Sequence, residues 1–196
     1  DLEKFLHSKD IHVPTLIRIG IAHYQFETIH PFLDGNGRIG RLLITLYLVS
    51  EKILEKPLLY LSVFFEKDKS LYYDNLTIVR ERNGLLQWLK YFLVGIEQTA
   101  TQAVETLTKV LELKNATEQT ITSTMGRRGT SGLLLLNSLF AHPFVTVKNV
   151  ERVTGLSKKA AGDLVQGFVE NNVLEEVTGN TRNRLFVFSP YLDLFE

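Results

Sequence analysis

The stretch HPFLDGNGRIGR, residues 30–41, is the most informative part of this 196-residue sequence. It lies between two segments in which apolar residues recur at three- and four-residue steps, at 16–29 and from about residue 37 toward residue 55, as amphipathic helices require. A proline and two glycines punctuate its first eight residues, which is typical of a loop. The second segment should end before Pro57, because proline interrupts a helix. The sequence therefore predicts two helices joined by a polar, glycine-containing loop.

The middle of this loop has the composition of an anion-binding site. Gly35, Asn36 and Gly37 permit an open backbone whose N–H groups point at one spot, and the following helix directs the positive end of its dipole there. Arg38 and Arg41 are three residues apart, so they project from one face of the first helical turns and add two guanidinium groups. Two guanidinium groups and several free amides suit a polyphosphate better than a single carboxylate.

Two further residues of the stretch suggest chemistry on that polyphosphate. Asp34 precedes the glycines and would repel a bare anion, but it can hold a magnesium ion that phosphates share. His30 opens the loop, and an imidazole that is largely unprotonated near neutral pH can take a proton from a hydroxyl. The alternative, an Asn-Gly hairpin turn, requires alternating rather than helical flanks. The other histidines show no metal-ligand spacing, and we interpret them as structural: His7, His12, His23 and His142.

The rest of the chain predicts a mainly α protein with two domains. A helix around 71–79 is followed by a long helix-compatible segment at 85–122, and a small, polar, glycine-containing segment at 123–131 marks a boundary. Beyond it we expect helices at 133–140, 147–154 and 157–171, then two short runs of β-forming residues at 173–177 and 184–188. This order predicts a helical domain over 1–125 and a winged helix-turn-helix domain over 126–196.

Composition narrows the classes of protein further. Lysine and arginine total 22 against 22 aspartates and glutamates, and 44% of residues are apolar, as in globular proteins. Cysteine is absent, which excludes disulfides and thiolate sites and suits a cytoplasmic location. No apolar run approaches the roughly 20 residues of a membrane helix, so we expect no membrane partner.

The stretch at 30–41 resembles the full signature of the Fic domain, His-Pro-Phe-x-Asp/Glu-Gly-Asn-Gly-Arg-x-x-Arg, with every specified position filled. The resemblance extends upstream through 22–27 and downstream through 59–62, Tyr72-Tyr73 and Trp88. It continues into the winged helix that some members of the family carry. The resemblance thus covers nearly the whole chain.

The resemblance implies a protein adenylyltransferase that uses Mg²⁺ and ATP and transfers AMP to a Ser, Thr or Tyr hydroxyl of a target protein. In that reading His30 is the general base and Asp34 holds the magnesium ion. The implied nucleotide-binding residues are Gly35, Asn36, Gly37, Arg38, Ile39, Gly40 and Arg41, joined by Tyr72 and Tyr73, for which ordinary helix packing is the alternative.

Two departures from the family pattern concern the N-terminus. Members of this layout carry, ahead of the signature, an inhibitory helix with a Ser/Thr-x-x-x-Glu-Gly/Asn pattern, and no convincing copy precedes His30. A target-docking flap is not recognisable between Asp1 and Ile29 either. Because the chain also starts without methionine, we expect the Fic domain to lack its N-terminal part.

Two alternatives to adenylyl transfer remain open. The chain could be a DNA-binding regulator with a nucleotide-sensing core, since Lys158, Lys159, Arg182 and Arg184 fall on the expected recognition helix and wing. The predicted winged helix has eight cationic against seven acidic residues, so a protein-contact or homodimer module is slightly favoured. The chain could also transfer phosphate as the Doc branch does, but that branch has lysine where Gly37 stands.

Overall fold

The computed structural model describes residues 1–195, and the chain divides into two compact units, 1–104 and a second that begins at Glu105. The first unit contains five helices and the start of a sixth. They are α1 (Leu2–His7), α2 (Thr15–Ile29), α3 (Asn36–Ser50), α4 (Leu61–Lys67), α5 (Lys69–Arg82) and α6 (Leu85–Thr124).

Aromatic side chains fill the core of the first unit. Trp88, Phe92 and Phe65 are almost completely buried, and the Trp88 indole N–H donates to the carbonyl of Gly20 at 2.9 Å. A side chain at Gly20 would meet the ring of Phe92 at about 2.9 Å. Glycine at this position therefore lets α2 approach α6 closely, which fixes the helix that ends at the signature loop.

The two helices predicted around the loop are both present. α2 begins directly after Pro14, a residue suited to the start of a helix. α3 ends at Ser50, earlier than the expected end near residue 55, because Lys52 adopts a left-handed conformation in which its N–H donates to the carbonyl of Val49. The short helices α1 and α4 were not predicted from the sequence.

The second unit combines helices with a small sheet. It contains the end of α6, a 3₁₀ turn at Gly126–Arg128, α7 (Gly129–Ala141), α8 (Val147–Thr154), α9 (Lys158–Glu170), α10 (Ser189–Leu192) and a 3₁₀ turn at Asp193–Phe195. Strands β1 (Phe144–Val145), β2 (Glu175–Glu176) and β3 (Phe186–Val187) form an antiparallel sheet in the order β1-β3-β2. Its core includes Leu135, Val150, Leu164, Phe168 and Phe186.

The mainly helical fold class agrees with the sequence analysis. The three predicted helices of the second unit and both predicted β-rich runs are present, although each strand is only two residues long. The sheet has a third strand, β1, that the sequence did not predict. The winged-helix assignment and the domain boundary near residue 125 stay predictions; the compact units divide inside α6, since Ile121 near its end packs in the core of the second unit.

Within residues 1–195, no helix combines the length and the apolar character that crossing a bilayer demands.

Candidate active site

The signature loop is shaped by two residues in left-handed backbone conformations. His30 ends α2 at φ 50°, with its N–H donating to the carbonyl of Phe26 at 3.0 Å, and its side chain is exposed. A non-glycine residue in this region is uncommon, and such strain is often retained at functional sites. Gly35 precedes α3 at φ 82°, which glycine adopts without steric cost. The loop therefore places an exposed imidazole close in sequence to the N-terminus of α3.

The side chain of Asn36 holds the loop together. Its Oδ1 accepts the N–H of Phe32 at 2.9 Å and its Nδ2 donates to the carbonyl of Phe32 at 2.6 Å. Asn36 is only 2% exposed, so its amide is engaged in the loop. What it offers to a ligand is its backbone, because the first N–H groups of a helix have no acceptor within that helix.

Arg38 lies on the solvent side of the loop. Its Nη2 is 3.5 Å from Asp34 Oδ2, and the two side chains are 77% and 93% exposed. The same nitrogen lies 3.5 Å from the place a Cβ would occupy on Gly35. An exposed pair of this kind is weak, so both charges are free to exchange partners.

Arg41 is held more firmly. Its Nε donates to Ser62 Oγ at 3.0 Å, its Nη2 is 3.5 Å from Glu66 Oε1, and its side chain is only 18% exposed. Its Nη1 lies 3.2 Å from the place a Cβ would occupy on Gly37. Both guanidinium groups thus lie near glycine backbone at the start of α3, and a side chain at Gly37 would crowd Arg41, whereas one at Gly35 would meet Arg38 at an ordinary contact distance.

Tyr72 supports α3 from inside the core. Its hydroxyl is 2.9 Å from His23 Nε2, and His23 Nδ1 is 2.9 Å from the carbonyl of Gly40. Burial lowers the pKa of His23 to about 4, despite the opposing hydrogen bond to Gly40, so the ring is neutral at pH 7. These contacts assign the proton to Nδ1, which donates to Gly40, while Nε2 accepts from Tyr72. Burial also raises the pKa of Tyr72, which keeps its hydroxyl a donor.

The half-buried carboxyl group of Glu27 packs against Gly40. Glu27 Oε1 is buried without a hydrogen-bond partner, and a side chain at Gly40 would collide with it. Burial raises the pKa of Glu27, against the opposing charges of His30 and Arg41. Glu27 therefore belongs to the electrostatic surroundings of the loop, although sequence analysis did not single it out for a role.

The structure gathers most of the predicted site residues at one loop. His30, Asp34, Gly35, Gly37, Arg38 and Arg41 all lie at or beside the N-terminus of α3. The five others differ in accessibility: Asn36, Gly40 and Tyr72 are buried, whereas Ile39 is 39% exposed and Tyr73 is 59% exposed. The nucleotide-binding assignments of these residues stay predictions.

Two contacts of Arg41 were missed by sequence reasoning. Ser62 lay within a quoted stretch of the resemblance but carried no assigned role, and Glu66 follows it by four residues. That spacing puts both on one face of a helix, yet nothing in the sequence indicates that α4 packs against α3.

The acidic residues near the loop suit only one kind of metal site. Across residues 1–195, no three His, Asp or Glu side chains cluster as they would in a metal site built by the protein alone. Mg²⁺ is commonly held by one or two carboxylates together with substrate phosphates. Asp34 has an exposed carboxylate and directly precedes Gly35 at the start of α3, so it fits that arrangement.

Comparison with known proteins identifies the fold and the loop. Residues 1–48 match the family model described as the Fic/DOC family. A solved Fic family protein from Desulfovibrio desulfuricans aligns with 96% of this chain and 53% of its own, at a TM-score of 0.50 and 22% identity. Residues 1–48, which include the signature loop, thus resemble the Fic/DOC family. The structural alignment supports the fold, and this chain spans about half the length of that Fic protein.

Curated relatives are similar to this chain over short segments. A probable protein adenylyltransferase of Aquifex aeolicus is 56% identical over 34 residues, which are 17% of this chain and 11% of that protein. The protein adenylyltransferase Fic of Drosophila erecta is 44% identical over 50 residues, 24% of this chain and 10% of that protein. The matched segments of this chain therefore span only about a tenth of the length of these relatives.

Proposed function

We propose that this protein transfers AMP from ATP to a hydroxyl side chain of a target protein. The observation that carries the proposal is the placement of the Arg38 and Arg41 guanidinium groups near Gly35 and Gly37 at the start of α3. Curated relatives of the matched segment are named protein adenylyltransferases. An exposed His30 in the same loop supplies the base that such a transfer requires.

The residues of the loop divide the work of phosphate binding. Backbone N–H groups at the N-terminus of α3 favour an anion, and the two guanidinium groups add charge-assisted hydrogen bonds. The Asp34 carboxylate is the residue that would hold Mg²⁺, which neutralises phosphate charge when bound. Since Asn36 is committed to Phe32, the loop keeps its shape without a ligand, and positioning of this kind supplies much of the rate in phosphoryl transfer.

His30 is proposed to act as the general base. It accepts the proton of the target hydroxyl while that oxygen bonds to the α-phosphorus, and the bond from the α-phosphorus to the bridging oxygen breaks. Pyrophosphate leaves with that electron pair, and AMP stays esterified to the target. The left-handed backbone at His30 turns the ring out of α2, where it is exposed to a target side chain.

Label transfer from α-³²P ATP to proteins of a cell lysate tests the proposal. His30→Ala should reduce labelling at least about a hundredfold, because a positioned base contributes roughly 10² to 10⁴ in rate. His142→Ala, at an exposed histidine of the second unit, is the matched control and should label normally. Undiminished labelling by His30→Ala, or no labelling by the unsubstituted protein, would refute the proposal.

A parallel reaction with γ-³²P ATP separates adenylyl from phosphoryl transfer. Glycine stands where the Doc branch has lysine, and a Cβ there would lie 3.2 Å from Arg41 Nη1, so a side chain at this position would displace Arg41 by a few tenths of an ångström. We expect label from the α position only. Label that transfers from the γ position would instead support the phosphotransferase alternative.

A further inference from the structure

Arg41 receives two contacts from one face of α4. Ser62 Oγ accepts from Nε at 3.0 Å, while Glu66 Oε1, one turn later, is 3.5 Å from Nη2. The two contacts differ in character, since Ser62 is a neutral acceptor and Glu66 is a half-exposed carboxylate. Neither residue lies in the signature stretch.

We propose that Ser62 is a positioning residue for the phosphate-binding guanidinium of Arg41, and that Glu66 opposes anion binding at the same group. The inference rests on the proposed function, because it assigns roles at the same polyphosphate site. It extends that site to α4 and predicts opposite effects for two residues four positions apart.

The geometry supports a positioning role for Ser62. Nε carries a single hydrogen, so the hydrogen bond to Ser62 restricts rotation of the planar guanidinium about its last bond. The terminal nitrogen Nη1 then lies near the backbone of Gly37, at the N-terminus of α3 where the anion is expected. A hydrogen bond that involves a charged group is stronger than a neutral one, and the Arg41 side chain is mostly shielded from water.

Glu66 acts through charge. Its 3.5 Å contact with Arg41 is long, and its side chain is 53% exposed, so the pair contributes little to stability. A phosphate that approaches Arg41 must, however, share the guanidinium with this carboxylate and meets its negative charge. Removal of that charge should therefore tighten anion binding, whereas removal of the Ser62 hydroxyl should loosen it.

Calorimetric titration with Mg-ATP and with inorganic tripolyphosphate measures both effects. Ser62→Ala should weaken binding of both ligands about fivefold to tenfold, given what a charged hydrogen bond contributes, and Ser62→Thr, which keeps the hydroxyl, should stay within about twofold. Glu66→Gln should strengthen binding about twofold to fivefold, as expected for a partly exposed charge. Ser70→Ala and Glu81→Gln, at exposed positions of α5, are the matched controls and should change neither affinity.

A second measurement reports on Arg41 without any ligand. In ¹⁵N NMR spectra, the Nε–H signal of Arg41 is assigned by its loss in Arg41→Lys. Ser62→Ala should shift this signal and speed its exchange with water, while Glu66→Gln should leave it near its original position. A purely structural role for Ser62 would disturb the helical circular dichroism instead.

The outcomes separate the inference from the proposed function. If the unsubstituted protein binds neither Mg-ATP nor tripolyphosphate, the proposed function fails and the inference fails with it. If it binds both, but Ser62→Ala keeps full affinity and an unchanged Nε–H signal, or Glu66→Gln weakens binding, only the inference is overturned. Weaker binding in Ser62→Ala together with tighter binding in Glu66→Gln supports it.

Discussion

The most consequential buried residue near the site is His23, which links three helices. It donates to the Gly40 carbonyl of α3, accepts from Tyr72 of α5, and itself belongs to α2. Its ring stacks at 5.8 Å on Phe65 and 5.9 Å on Trp88. Protonation would add a hydrogen to Nε2, the nitrogen that now accepts from the Tyr72 hydroxyl. It would also give a positive charge to a fully buried ring.

This linkage predicts acid sensitivity. The pKa of His23 falls from 6.5 to about 4 in the folded chain, so between these values the unfolded chain binds more protons than the native state. Stability contributed by His23 is therefore complete above pH 6.5 and is lost as pH falls through 4, by roughly 3 to 4 kcal/mol in all. Urea unfolding at pH 7, 6 and 5 measures the slope. His23→Gln should lower the free energy of unfolding at pH 7 but make it depend less on pH. His7→Gln, at an exposed histidine, is the control and should leave the pH dependence unchanged. An unchanged pH dependence in His23→Gln would contradict the assignment.

Sequence and structure differ most instructively at single residues of the site. The sequence predicts an anion site from the spacing of the charged and glycine residues at 34–41, and the structure places these residues in one loop and the first turns of α3; their role in anion binding stays a prediction. The engagement of Asn36 with Phe32 could not be predicted, since it depends on how the loop folds back on itself. The burial of Tyr72 depends likewise on a histidine 49 positions away in the chain.

At the scale of elements, the site depends on the close approach of the Arg41 side chain to Gly37 in the first turn of α3. At Gly37 the absence of a side chain leaves space that the Arg41 guanidinium borders. A methyl group there would lie 3.2 Å from Nη1, so the guanidinium must shift by a few tenths of an ångström from its present position. Alanine is itself favourable in a helix, so the helix should tolerate the change.

Gly37→Ala should therefore weaken nucleotide binding without unfolding the protein. We expect about a tenfold loss of Mg-ATP affinity by calorimetry, the range of one charged hydrogen bond, with the midpoint of thermal unfolding preserved. Gly162→Ala in α9, where an added methyl meets nothing within 4 Å, controls for the general effect of a glycine-to-alanine change in a helix. Equal affinity in both variants would show that the approach of Arg41 to Gly37 has no part in binding.

The sequence predicted the long helices whose ends are marked by proline or glycine, but not the short helices or the short strand β1. Pro14 precedes α2, and Gly35 lies just before α3. These residues mark where the two helices begin, so both helices could be predicted from the sequence. α4 has seven residues and β1 has two, too few for a periodic pattern to emerge. Their positions are set by tertiary partners, such as β3 for β1.

At the scale of the whole molecule, two hydrophobic cores are built from one chain. Trp88 and Phe92 belong to the first core and Ile121 to the second, although all three lie on α6. No proline or glycine occurs in α6 near residue 104, where the two units divide. The sequence therefore indicated a domain boundary only at the end of the helix, near residue 125. The division inside α6 is thus a consequence of packing rather than of local composition.

The balance of charge over the whole chain bears on the DNA-binding alternative. The protein has zero formal net charge, and on α9, the candidate recognition helix, the exposed Lys158 and Lys159 are followed by exposed Asp163 and Glu170. Phosphate contacts dominate DNA affinity, so acids beside the few cations should suppress it. We expect no gel shift of random duplex DNA at 150 mM salt and micromolar protein, and Lys158→Glu should leave that result unchanged. A shift by the unsubstituted protein that Lys158→Glu abolishes would instead favour a DNA-binding regulator, because only a direct phosphate contact makes one lysine indispensable.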